Sequence, residues 1–169
     1  MKLFRPATLA ALSAAIALLS SCALFRQEGR TKVDTLLVTG TYLDARLITE
    51  LAHYHTKQPV VIFSTDIDET LQMYFIPTSQ KEAEPAPTEQ FSELITHLNP
   101  KRVVFVGGSL IVPQNFVDEA KKISTTLVLD SDNWSENAKE LGHLLRQRRL
   151  QREYDDYRKR LNERGLTGH

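Results

Sequence analysis

The sequence predicts an α/β domain built on a mainly parallel sheet, and three observations carry that expectation. Val103-Val104-Phe105-Val106 is an unbroken run of β-branched and aromatic residues, the pattern of a strand covered on both faces. Gly107-Gly108 follows at once and Pro113 soon after, so this strand passes through a tight turn into a helix. Upstream, two short apolar runs, residues 35–39 and 60–63, bracket a stretch of helical spacing. Strand, helix and strand in that order form a βαβ unit, whose connection is normally right-handed and whose strands are parallel.

The elements follow in order. Thr35-Leu36-Leu37-Val38-Thr39 is the first strand and Gly40 ends it. Residues 43–55 carry apolar side chains at 43, 47, 48, 51 and 52, a helical stripe that Gln58-Pro59 interrupts. Val60-Val61-Ile62-Phe63 is a second buried strand. Residues 64–89 are less regular: 71–76 form a short strand or a packed loop, and Pro77, Pro85 and Pro87 mark an exposed excursion. Thr88 is a candidate N-cap for a helix over 89–98 with Phe91, Leu94, Ile95 and Leu98 inward, stopped by Asn99-Pro100. After the strand at 103–106 comes a helix over about 113–123 with Phe116, Val117 and Ala120 inward, then a strand at 126–129. Asp130-Ser131-Asp132-Asn133 is a turn cluster, any member of which suits an N-cap. From Trp134 onward only Gly142 interrupts helicity before Gly165, which predicts a long C-terminal helix. Leu150, Tyr154, Tyr157 and Leu161 recur on it at heptad-like spacing, a seam or equally a charged, solvated helix.

The ends set the organisation. Residues 1–21 join a basic start, an apolar run over 9–19 and small residues, the layout of a secretory signal peptide. Leu19-Ser20-Ser21-Cys22 resembles the lipobox of bacterial lipoproteins, whose cysteine is lipidated and becomes the mature N-terminus. Cys22 is the sole cysteine, so no intramolecular disulfide forms. Ala23-Leu24 lacks the acidic residue that retains such lipoproteins at the inner membrane, and the resemblance implies the outer membrane, facing the periplasm. Residues 22–33 read as a tether, 34–145 as the folded domain and 146–169 as a charged helical extension. The full chain holds 21 basic and 21 acidic residues, a balance that gives no electrostatic footprint for nucleic acid.

The ordered motifs resemble one family. Gly40-Thr41-Tyr42-Leu43-Asp44-Ala45 is similar to the glycine, aromatic and Asp-Ala signature that opens the type 2 cell-wall-binding repeat. Pro59 with its aliphatic strand, then Val103 to Gly108 with Val112, resemble the repeat's middle segments, and Asp132-Asn133-Trp134 resembles its closing motif. The resemblance spans about residues 34–145 and implies a Rossmann-like or Toprim-like three-layer module with no catalytic role and no cofactor. It implies binding roles for Gly40, Asp44, Ala45, Gly107, Gly108, Asp132 and Trp134. It further implies tethering to anionic cell-wall polymers and, since the family uses three tandem copies where this chain has one, a homotrimer; an envelope protein is the alternative partner.

Rival chemistry centres on Asp66-Ile67-Asp68-Glu69-Thr70-Leu71, which resembles motif I of haloacid-dehalogenase-type phosphatases. There Asp66 is the nucleophile, Asp68 the acid/base and both hold Mg²⁺. Ser109, Lys121 or Lys122 would serve the phosphate, and Asp130 with Asp132 the metal. Ser64-Thr65 intervene between strand and motif, and Glu69 places a bulky anion beside the phosphate, so a turn is the simpler reading. Gly107-Gly108-Ser109 lacks the spacing of a dinucleotide fingerprint or P-loop and reads first as a turn. His53 and His55 point to different helix faces and read as a surface pair. Trp134 reads as a core or interface anchor. Arg146-Gln147-Arg148-Arg149 with Arg152 is a basic run closely followed by Glu153, Asp155 and Asp156, the pattern of a solvated helix face.

Overall fold

A computed structural model describes residues 33–66, 68–78, 80 and 82–166. The signal peptide, Cys22 and nearly all of the tether lie outside the described residues. Six strands form one sheet: β1 (Thr35–Gly40), β2 (Val60–Thr65), β3 (Leu71–Ile76), β4 (Glu84–Ala86), β5 (Arg102–Val106) and β6 (Thr126–Leu129), in the order β4-β3-β2-β1-β5-β6. The helices are α1 (Leu43–Thr56), α2 (Phe91–Leu98), α3 (Gln114–Ile123), α4 (Trp134–Leu144) and α5 (Leu150–Glu163).

β1 sits between β2 and β5, parallel to both, with Leu37 opposite Val60 on one side and Val104 on the other. β6 continues the parallel run beside β5, while β3 and β4 add antiparallel ribbons at the other edge. Alternation along the central strands serves two cores. Leu37, Val60, Ile62, Val104 and Val106 pack with Ala45 and Ile48 of α1, Ala138 and Leu141 of α4, and Leu150 and Tyr154 of α5. The opposite face holds an aromatic cluster in which Phe63 stacks on Phe116 at 4.2 Å and Phe91 meets Phe63 and Phe105 edge-on. Helices on both faces of a mostly parallel sheet make this a Rossmann-like three-layer α/β fold, as the apolar runs predict.

Local chemistry explains where the helices stop. Lys57 and Asn99 adopt left-handed conformations, φ 55° and 44°, and their amides close back on His53 and Ile95. The stretch at 71–76 is a true strand. Pro77 is buried at its end, whereas Pro85 and Pro87 are exposed around the short β4.

Three readings are corrected. The single long C-terminal helix is two helices broken at residues 145–149, with Arg146 left-handed at φ 59°. Gly142 permits the reversal, because a Cβ there would stand 2.7 Å from the Gln147 carbonyl oxygen folding across it. The seam residues Leu150 and Tyr154 are turned into the module's own core, and only Tyr157 of the four is exposed. Finally, His53 is not on the surface. It is buried between two backbone carbonyls, with Nδ1 2.7 Å from Gln58 and Nε2 3.2 Å from Gln80, while His55 is exposed and meets Glu153 of α5.

Candidate functional site

β1, β2, β5 and β6 all end at the same edge of the sheet. From β1 the chain leaves through α1 toward β2, and from β5 through α3 toward β6, in opposite directions. The gap between them is the topological switch point, where doubly wound sheets bind ligands. A cleft of about 770 Å³ opens at that edge, a volume typical of ligand sites. Its walls come from Thr41 and Tyr42 after β1, Thr65 and Leu71 of the β2–β3 ribbon, residues 108–111 after β5, and Asp130, Ser131, Asp132 and Trp134 after β6.

The floor is made by Ile111. A Cβ added at Gly40 would lie 2.4 Å from the Ile111 carbonyl oxygen, and one at Gly107 would lie 2.6 Å from its Cδ1. Gly107 also has φ +110°, a conformation that favours glycine. The amides of Ile111 and Val112 both donate to the Gly108 carbonyl, closing the turn that holds Ile111 in place. These glycines therefore seat a side chain over the strand ends. The space above Gly40 and Gly107 is filled by Ile111, with its carbonyl over the first and its side chain over the second.

The rim is aromatic on one side and acidic beside it. Tyr42 and Trp134 stack with ring centroids 5.4 Å apart and planes 28° from parallel, and Tyr42 is 52 % exposed. Asn137, fully buried at the start of α4, clamps the loop before it: its Nδ2 donates to the Ser131 carbonyl at 2.8 Å and its Oδ1 accepts from the Ser131 amide at 3.1 Å. The Ser131 hydroxyl in turn accepts from the Asn133 amide. Asp130 and Asp132 are thus presented on a fixed turn. Among the described residues lining the cleft there is no Lys, Arg or His.

Behind the rim lies a buried tie. Asp44, in the first turn of α1, is 3 % exposed and accepts hydrogen bonds from the Tyr154 hydroxyl at 2.7 Å and from Arg158 Nε at 2.8 Å. Its charge suits a helix N-terminus as well as the guanidinium. Burial first, and then the bond to Asp44, raises the Tyr154 phenol well above its ordinary value.

Of the residues singled out by the repeat-like motifs, Gly108, Asp132 and Trp134 line the cleft, Gly40 and Gly107 lie under its floor, and Asp44 and Ala45 are buried behind it. Tyr42 and Asn137 complete the site without having been singled out for binding, and Asp130, singled out only as a metal ligand of the phosphatase-like reading, lines the cleft beside Asp132. Tyr42 carried a usable signal, an aromatic two residues past the glycine that ends a central strand.

The phosphatase-like residues are not gathered together. Asp66 to Thr70 is the turn of the β2–β3 hairpin, closed by the Asp66 amide donating to Thr70 and the Glu69 amide to Asp66. Asp68 accepts from the Thr70 amide at 3.1 Å, which holds its carboxyl below the usual range. Ser109, Asp130 and Asp132 line the cleft, but Asp66 and Asp68 do not, and Lys121 and Lys122 end α3 at the opposite edge of the sheet. No group of three or more His, Cys, Asp and Glu side chains suited to a metal ion occurs among the described residues, and no helix among them is long and apolar enough to cross a membrane. Compared with protein-family models, curated proteins and solved structures, the chain matches none.

Proposed function

We propose that this chain is a non-catalytic lipoprotein of the cell envelope whose α/β module binds an envelope glycan in the switch-point cleft. The observation that carries the reading is the stacked Tyr42–Trp134 pair standing beside Asp130, Ser131 and Asp132. Sugar rings present an apolar C–H face and a perimeter of hydroxyls. An amphipathic aromatic pair suits the first, and Thr41, Thr65, Ser109 and Ser131 with two carboxylates suit the second. The charge of the rim favours neutral or amine-bearing sugars over phosphate-rich polymers, because an anion would meet Asp130 and Asp132 with no cation among the described residues lining the cleft.

The test is retention of the full chain on isolated cell walls, on bare peptidoglycan and on a teichoic-type polymer. Peptidoglycan retains the chain, and Trp134→Ala weakens retention about tenfold, equivalent to about 1.4 kcal/mol. Retention unchanged by Trp134→Ala, or confined to the phosphate-rich polymer, refutes the cleft as a glycan site. A protein partner is the second reading, favoured by Leu110, which stands fully exposed on the cleft rim. Trimer assembly rests on the single copy of the repeat-like sequence. With Leu150 and Tyr154 spent inside the module, α5 offers little seam for it. Light scattering that finds a strict monomer sinks that part.

A further inference from the structure

The edge of the sheet opposite the cleft is basic, and the chain enters the module there. β1 begins at Thr35 on that edge, so the tether that carries Cys22 joins the domain beside it. α1, α3 and α4 all finish on the same edge, and the α4–α5 connection crosses it. Lys57 and Lys122 close α1 and α3, Arg146, Arg148 and Arg149 occupy the connection, and Arg152 lies in the first turn of α5; all six are exposed.

The sequence placed these arginines on one helix next to neutralising acids. The structure places Arg146, Arg148 and Arg149 in the connection before α5, and Glu153, Asp155 and Asp156 on the helix itself, with Glu153 one turn from Arg149. Glu153 is engaged by His55, Asp155 accepts from Ser135, and Asp34 and Asp118 are taken by Lys101 and Lys121. Among the described residues none of the six cations has an ion-pair partner. Glu82 and Glu84 share the edge but stand at its β4 end.

We propose that this basic edge docks on anionic phospholipid headgroups, so that the module lies on the membrane with its cleft facing away. The orientation rests on Cys22 being the lipid anchor. Ten residues lie between Cys22 and Val33, a reach of at most about 40 Å, so the tethered edge is the one held near the bilayer. Attraction between a basic patch and anionic lipid fades within about 8–10 Å at ordinary salt, and therefore only a face held close can use it. A polybasic patch added to a lipid chain is the second signal that makes membrane attachment stable. Asp130 and Asp132 follow the four-residue β6 at the far end of the sheet, about 13 Å beyond that strand's start, and an anionic surface repels that edge.

The experiment uses the full chain with vesicles of phosphatidylglycerol and phosphatidylethanolamine, against vesicles of phosphatidylcholine. At about 50 mM salt the anionic vesicles bind at least tenfold more tightly, and about 0.5 M salt abolishes the difference. The triple variant R146E/R148E/R149E loses the preference with its circular dichroism unchanged, and R146Q/R148Q/R149Q, which adds no new charge, loses most of it. Trp134 is the single tryptophan and sits at the cleft, so brominated acyl chains leave its fluorescence unquenched. Equal affinity for both vesicle types, undiminished binding by the two variants, or quenching of Trp134 overturns the proposal. So does a chain that ignores anionic vesicles but needs these arginines to bind a phosphate-rich polymer. The preference does not depend on acylation or on the cleft. Cys22→Ser therefore tests the anchor by membrane fractionation, Trp134→Ala tests the glycan site, and neither changes vesicle selectivity.

Discussion

Asp44 and Tyr154 lie 110 residues apart in the chain and meet through a 2.7 Å hydrogen bond at the buried contact of α1 with α5. Because Asp44 belongs to the first turn of α1, this bond ties the C-terminal helix to the segment that presents Tyr42 at the cleft. Tyr154→Phe keeps the ring in the core and removes only the hydroxyl. It destabilises the fold by about 1.5–3 kcal/mol, the usual loss for a hydrogen bond to a charged group, as measured by urea unfolding.

The same pair sets an alkaline limit. The Tyr154 phenol is raised above its ordinary value of 10.0 by burial and by Asp44. A group whose folded pKa is raised contributes its full stability below the unfolded value and loses it as pH climbs toward the folded one. Urea midpoints of the parent therefore decline above about pH 10, while Tyr154→Phe lacks that component. Parallel pH profiles for the two proteins would refute the assignment.

The three glycines at the strand ends are not equivalent. At Gly40 an added methyl meets backbone, the Ile111 carbonyl, which has nowhere to go. At Gly107 it meets the Ile111 side chain and strains a φ of +110°. At Gly108 the nearest atom is Asp130 Cβ at 3.5 Å, an ordinary contact. Gly40→Ala and Gly107→Ala each cost about 1–3 kcal/mol, and Gly108→Ala stays within about 0.5 kcal/mol. Thermal unfolding of the three variants decides it, and equal losses would show that Ile111 does not seat on these glycines.

What the sequence made legible was whatever depends on local pattern. Continuous apolar runs marked β1, β2 and β5, and the Gly107-Gly108 turn marked the end of β5. Long-range partnership left no such trace. His53 reads as polar and solvated until Gln58 and Gln80 are seen to bracket it, and the latter is 27 residues away. The reversal at 145–149 hides because Arg146 carries no glycine signal, although Gly142, which makes room for it, lies four residues earlier. The cleft was half legible: Asp132 and Trp134 stood out, but their pairing with Tyr42 depends on how β1 and β6 flank β5.

The hairpin at Asp66 invites a chemical and a structural test together. Glu69 sits at φ 63°, the left-handed position that follows the turn in a short hairpin loop. Relieving that strain with Glu69→Gly stabilises the protein by about 0.5–1 kcal/mol. The same position beside a phosphate would respond in turnover instead. We expect p-nitrophenyl phosphate with Mg²⁺ to be hydrolysed no faster than in buffer, with Asp66→Asn indistinguishable from the parent. Turnover abolished by Asp66→Asn would replace a hairpin turn with an active site.

Asn137 links stability to binding most directly. Its side chain makes both hydrogen bonds that a backbone strand would make to Ser131, and it is fully buried. Asn137→Ala leaves the Ser131 amide and carbonyl without those partners and costs about 1–3 kcal/mol. The loop that carries Asp130 and Asp132 then loses its anchor to α4, so its amides exchange with solvent faster and glycan retention falls even where the protein remains folded. Ser131→Ala is the contrast. It removes only the hydroxyl that accepts from the Asn133 amide, leaves the clamp intact, and changes exchange at residue 131 little. Hydrogen exchange on the two variants separates a rim held by Asn137 from one held by its own turn, and equal exchange in both would assign the rigidity to the turn.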